Sequence, residues 1–190
     1  MLLKHAKLVD LLRKSYSAEK AAALAYVGHA RSVSDPDEKA AIKRIEEDEW
    51  EHRQMVREIM RTYEIPISKY FELKYHVIGK LISLSCSLIG WFMPYYFAGR
   101  IESGNVCEYF RMMHYFDDLA IFQHHRRLYD MGMKEKEHEV YFLQRLKSHR
   151  LLPWFERMFG WGKNGSLNDV TADAGYSAQE SKRLCRKRHA

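Results

Sequence analysis

The chain has 190 residues, 46% of them hydrophobic and 13% aromatic, with a formal net charge of +6. That length suits one domain with a proper core, and that composition excludes a disordered chain. Its three cysteines, Cys86, Cys107 and Cys185, are odd in number and form no Cys-x-x-Cys pair, which argues against a disulfide scaffold or a sulfur-rich metal site and fits a reducing compartment.

The excess positive charge gathers in the last ten residues, around Lys182, Arg183, Arg186, Lys187 and Arg188. A solvated tail is the first reading of this cluster, and contact with anionic lipid headgroups the second. No nucleic acid is expected as a partner, because no basic surface with interleaved aromatics accompanies the tail. The first residues run directly into charged helical sequence, so no signal peptide is expected either.

In chain order, a first helix is expected over residues 1–33, with a fresh start allowed near Ser15. Its run Ala18-Glu19-Lys20-Ala21-Ala22-Ala23-Leu24-Ala25-Tyr26 forms helix strongly, and the small side chains admit a neighbouring helix close to Glu19. Asp35, Pro36 and Glu38 read as N-cap, first and third positions of a second helix. That helix runs to about Tyr63 and is closed by Ile65-Pro66-Ile67.

Residues 81–99 carry no charge and include three serines, Gly90 and Pro94. Three readings are open: a buried bundle helix, an interfacial surface with residues 91–97 at headgroup level, or a membrane span. A fourth helix is expected over residues 104–132 and a fifth over 134–148. A short amphipathic piece follows from Leu152 to Gly160, and residues 161–190 read as a polar, basic extension to a domain of residues 1–160. No strand-like alternation of useful length occurs, so the fold class is all-α.

Two Glu-x-x-His motifs, Glu49-Trp50-Glu51-His52 and Glu135-Lys136-Glu137-His138, carry the chemistry. Residues at i and i+3 share a helix face, so each motif presents a carboxylate beside an imidazole. Each motif follows an isolated glutamate by about eight helical turns, Glu19 in the first half and Glu108 in the second. The order Glu, Glu-x-x-His, Glu, Glu-x-x-His is the one bundle proteins use to hold two iron or manganese ions.

Glu49 and His52 fall on the stripe marked by Ile45, Val56 and Ile59, where a carboxylate is costly unless paired or metal-bound. Glu108 has Ile101, Met112 and Tyr115 at helical spacing and little competing charge. Glu102 is its nearest competitor, but Ser103 and Gly104 beside it read as a helix start. Glu135, Glu137 and His138 sit in a charged run after Gly132, so a solvated face stays open for them. Carboxylates with two imidazoles suit iron or manganese better than zinc. Two such metals bridged by carboxylates can reduce dioxygen by two electrons, and so hydroxylate a substrate, reduce peroxide or oxidise ferrous iron.

Over residues 18–146 the chain resembles the demethoxyubiquinone hydroxylases, di-iron monooxygenases of ubiquinone biosynthesis within the ferritin-like group. The likeness rests on Ala18-Glu19 before Ala25-Tyr26-Val27-Gly28, on both Glu-x-x-His motifs, on Ala98-Gly99 and on Glu108 before His114-Tyr115. The family's Asp-His-Ala-Gly lead-in is replaced by Ser15-Tyr16-Ser17-Ala18, and the interval from Glu108 to Glu135 is shorter, as in a divergent member.

The resemblance implies a ferritin-like four-helix bundle with an additional apolar helix and a C-terminal extension. It implies two iron ions, with manganese allowed, on Glu19, Glu49, His52, Glu108, Glu135 and His138, and His114 and Tyr115 beside them tuning the metals or passing electrons and protons. The expected activity is oxygen-dependent hydroxylation of a hydrophobic quinone-like substrate drawn from a membrane surface. The electron donor is unassigned, a homodimer is allowed, and the protein would be peripherally attached in the cytoplasm or another reducing compartment. Two other classes stay open. Rapid peroxide turnover without a lipid substrate would indicate a rubrerythrin-like peroxidase or ferroxidase. Failure to bind metal would indicate a non-enzymatic helical bundle that docks on membranes.

Overall fold

The computed structural model describes residues 3–163; the basic tail and nearly all of the expected extension lie outside them. Among the described residues there are six α-helices and no strand, so the chain is all-α. Its contacts group into two units, one ending at Pro94 and one starting at Tyr95.

The first unit holds α1 (Ala6–Ser32), α2 (Pro36–Thr62) and α3 (Lys69–Ser85), with α1 packed against both others. Steps of three and four residues place Leu8, Leu12, Ser15, Glu19, Ala23, Tyr26 and Ala30 on one buried stripe of α1. The same rhythm buries Glu38, Ile42, Ile45, Glu49, His52, Val56 and Ile59 on α2. α1 is continuous through Ser15, with no restart. The start of α2 is as expected, the Asp35 carboxylate accepting from the backbone N–H of Asp37 and Glu38 ahead of Pro36 at the first position. The small residues of α1 do admit a neighbour, and it is α3: a Cβ on Gly79 would lie 2.8 Å from Ala21 Cα, so only glycine allows this approach.

One carboxylate ties the three helices together. Glu72 of α3 accepts from Ser17 Oγ at 2.8 Å and Lys20 Nζ at 3.3 Å on α1, and from Arg53 Nη1 and Nη2 at 3.1 and 3.0 Å on α2. Arg53 also donates to the Tyr16 carbonyl and lies 3.7 Å from the Tyr16 ring centroid. Burial alone would raise the Glu72 pKa. The hydrogen bonds and charges of these partners outweigh it and hold the carboxyl below its usual value.

His29 is buried and stacks on Tyr26, and burial lowers its pKa from 6.5 to about 4 against a weaker raising effect of the Glu38 charge. Between these values the unfolded chain takes up a proton that the folded chain refuses. Stability is therefore full above pH 6.5 and falls as pH drops toward 4, by about 3 kcal/mol. Urea denaturation at stepped pH should show this slope in the parent and its loss in His29→Gln.

The uncharged stretch does not form a single helix. α3 ends at Ser85, the chain turns through residues 86–91 with Gly90 at φ 76°, and α4 begins at Phe92. Among the described residues no helix is long and apolar enough to cross a membrane. Phe92, Tyr95 and Tyr96 are buried, which fits the reading of this part as a bundle helix and not the one that sets it at headgroup level.

The second unit is built from α4 (Phe92–Asp117), α5 (His125–Leu146) and α6 (Leu152–Phe159). α4 starts earlier than expected and α5 passes through Gly132; the break falls at residues 118–124, where Ala120 adopts φ 54°. Gly132 does not end a helix. It makes room for a neighbour, since a Cβ there would lie 2.9 Å from the Phe110 ring. α6 closes on Gly160 in the left-handed conformation, φ 72°.

The core of this unit runs past residue 160, where the domain was expected to end. Trp161 is buried, its ring 5.2 Å from that of Tyr96, and the Tyr96 hydroxyl donates to the carbonyls of Phe155 and Trp161 at 3.0 and 2.8 Å. Its indole N–H donates to Glu139 Oε1 at 2.8 Å, while Lys136 Nζ donates to Glu139 Oε2 at 2.7 Å.

Candidate metal centre

Each unit builds a buried trio of two carboxylates and an imidazole. In the first, Glu19 of α1 meets Glu49 and His52 of α2, with one potential ligand atom from each within 4.8 Å of the others. In the second, Glu102 of α4 meets Glu135 and His138 of α5 within the same limit. All six residues are buried. The local reason is the same in both units, because every one of them occupies a step of its helix's apolar stripe. On α4 that stripe is Tyr95, Gly99, Glu102, Val106, Tyr109, Met113 and Phe116, and on α5 it is Leu128, Met131, Glu135, His138 and Phe142.

Each trio has a polar neighbour that fixes carboxylate direction. Buried Ser15, one turn before Glu19, donates from its hydroxyl to Glu19 Oε1 at 3.2 Å. Asn105 Nδ2 donates to Glu102 Oε2 at 3.1 Å and to Glu135 Oε2 at 3.3 Å, holding an oxygen of each acid. His138 Nδ1 lies 4.0 Å from that same Glu135 oxygen. Donors of this kind orient ligands and set their basicity. Asn105→Ala is expected to weaken metal binding by about 10- to 100-fold while leaving the helices intact, measured by competition with a chelator and by circular dichroism.

Five of the six ligands expected from the sequence, Glu19, Glu49, His52, Glu135 and His138, fall in these trios. The remaining carboxylate is Glu102, which lies inside α4, so Ser103 and Gly104 do not mark a helix start. Glu108 is half-buried and belongs to neither trio. It sits six residues further along α4, about 9 Å along the axis and on another side of the helix. His114 and Tyr115 are half-buried and further still, about 18 Å or more from the level of Glu102. His114 Nδ1 lies 3.6 Å from Asp117 Oδ2, and His125 Nε2 lies 2.8 Å from Asp117 Oδ1. Glu137, the alternative acid of the second motif, is exposed and pairs with Lys134 at 2.6 Å.

Two buried groups near the second trio were not foreseen from the sequence. Lys136 and Glu139 flank Glu135 and His138 and form their ion pair inside the unit. Compared with protein-family models, curated proteins and solved structures, the chain finds no match.

Proposed function

We propose that the protein is an oxygen-dependent hydroxylase of a hydrophobic, quinone-like substrate, working at a dinuclear metal centre of the ferritin-like kind. The observation that supports it most is the pair of buried trios. A buried carboxylate costs several kcal/mol unless a cation or strong donors accompany it. Two carboxylates and an imidazole in each trio are a donor set for a cation, and hard oxygen ligands with one imidazole apiece suit iron or manganese. That both trios serve one centre is inferred from their order along the chain and from the donor count of four carboxylates and two imidazoles.

A bound pair of iron or manganese ions would supply the two-electron reduction of dioxygen. The chain itself does the holding and orienting. Glu19, Glu49 and His52 form one set of ligands and Glu102, Glu135 and His138 the other, with Ser15 and Asn105 fixing carboxylate oxygens. Burial of all six ligands keeps bulk water from them. A role for His114 and Tyr115 beside the metals draws no support from their placement and is not included. A reducing compartment, with ferrous iron and a reductant to hand, fits this chemistry.

The test incubates ferrous-loaded protein with labelled dioxygen, a chemical reductant and a short-chain demethoxyquinone in detergent. A product heavier by one labelled oxygen atom is expected. Fast peroxide turnover or ferrous oxidation with the quinone unchanged would overturn this in favour of a rubrerythrin-like peroxidase or ferroxidase.

A further inference from the structure

Trp161 stands about one helical turn from the second trio on both of the helices that build it. A Cβ on Gly99 of α4 would collide with its ring, and Gly99 lies three residues before Glu102. On α5 its indole N–H donates to Glu139 Oε1 at 2.8 Å, and Glu139 follows His138 directly and Glu135 by four residues. Lys136 Nζ donates to the other Glu139 oxygen at 2.7 Å and so fixes the direction of the carboxylate.

An unbroken line of aromatic rings leads from Trp161 to the surface. Its ring centroid is 5.2 Å from that of Tyr96, Tyr96 is 5.0 Å from Phe155, and Phe155 is 5.0 Å from Trp154. Trp161, Tyr96 and Phe155 are buried, whereas Trp154 is 56% exposed. Arg157, one turn on from Trp154, and Arg150, just ahead of α6, are exposed as well. The line therefore has a basic outer end and a carboxylate at its inner end.

Indole and phenol rings give up a single electron far more readily than the ring of phenylalanine. An indole that has lost one is positive, and a carboxylate at hydrogen-bond distance stabilises that charge. Trp161 has such a carboxylate in Glu139, whereas the Tyr96 hydroxyl donates to the backbone carbonyls of Phe155 and Trp161. A missing electron thus comes to rest on Trp161. Phe155 bridges Tyr96 and Trp154 without holding charge itself.

We propose that Trp161 is a redox residue of the second trio. It gives an electron to the metal centre during dioxygen reduction and regains one, through Tyr96 and Phe155, from an anionic one-electron reductant at Trp154. This rests on the dinuclear reading of the trios. Reduction of dioxygen to two waters takes four electrons and four protons. Two ferrous ions supply two electrons in becoming ferric, the other two leave Trp161 one at a time, and the protons come from water. After each step the indole is a cation radical whose N–H stays on Glu139, and the reductant restores the neutral ring. When a substrate is hydroxylated, it supplies those last two electrons, so the line of rings acts when dioxygen reacts without one.

The test loads the full chain with ferrous iron, mixes it with dioxygen and no quinone, and freezes it at set times for electron paramagnetic resonance. An organic radical is expected as dioxygen is consumed. Its signal should narrow when the protein carries ring-deuterated tryptophan, be lost in Trp161→Phe and persist in Trp50→Phe. Ascorbate should quench it, and more slowly in Trp154→Phe. Circular dichroism checks that the variants fold. Dioxygen consumed with no such radical, or with the same radical in Trp161→Phe, would overturn the proposal and leave the hydroxylase reading standing. No uptake of dioxygen would sink that reading, and a second measurement then tests the line of rings without a metal centre. A photogenerated ruthenium(III) oxidant applied to metal-free protein should give a tryptophanyl radical that lasts longer in the parent than in Trp161→Phe. The buried indole on Glu139 keeps the radical from solvent, and equal lifetimes would overturn the proposal independently of any metal.

Discussion

Glu102→Ala is expected to lose bound metal, by at least about 100-fold in affinity, whereas Glu108→Ala keeps it. The two acids are six residues apart on α4, and their surroundings differ. Glu102 is fully buried, reaches Glu135 and His138 within ligand distance, and has Asn105 holding one of its oxygens. Glu108 is half-buried on another side of the helix. Removing Glu102 takes one of three ligands from its trio and leaves the Glu135 carboxylate and the Asn105 amide aimed at a gap. Metal content after gel filtration, with iron added during growth, distinguishes the two variants directly. Equal retention in both would contradict the trio as described, and loss in Glu108→Ala alone would restore the ligand first expected from the sequence.

The second large effect concerns stability. Glu139→Ala should destabilise the protein by about 3–5 kcal/mol, because it removes the carboxylate from a lysine that is itself buried. A whole domain is stable by only about 5–15 kcal/mol, so this variant would stand near the limit of folding. The indole of Trp161 loses its acceptor at the same time. The double variant Lys136→Met/Glu139→Leu removes both charges together and should recover most of the loss. Urea midpoints of the parent, the single and the double variant measure this. A single variant no worse than the double would mean that Lys136 finds water or another acid, and that the ion pair is not what holds this part of the unit.

The apolar rhythm of three and four residues was legible along the chain and gave the all-α class. It also placed Glu49 and His52 on an inward stripe, whereas Glu19, Glu135 and His138 followed from the order and spacing of the motifs, with a solvated face open for the last two. Glu102 occupies the same kind of position, four residues before Val106 and seven before Tyr109, but the neighbouring Ser103 and Gly104 drew attention as helix-start residues. A rule about local composition thus concealed a periodic signal that was present.

The Lys136–Glu139 pair was not legible at all. Lys134 and Glu137 stand at the same spacing two residues away and form an exposed pair, with side chains 42% and 66% accessible. Nothing local separates the two. The difference is made by Trp161, whose indole arrives from 22 residues further along the chain to meet Glu139. The uncharged stretch misled in a different way. A run without charge suggests one element, but Gly90 at positive φ turns the chain and divides the run between α3 and α4, the first with an apolar face outward and the second with its aromatics in a core.

The most direct test of a shared dinuclear centre is the number of metal ions per chain in the parent, in Glu49→Ala and in Glu102→Ala, all grown with iron. About two ions in the parent, and loss of both in either variant, is the predicted result, since the proposed function assigns the two altered residues to one dinuclear centre. Loss of a single ion in each variant would mean two separate mononuclear sites. No metal in the parent, or full retention in both variants, would contradict the metal centre itself and with it the hydroxylase reading.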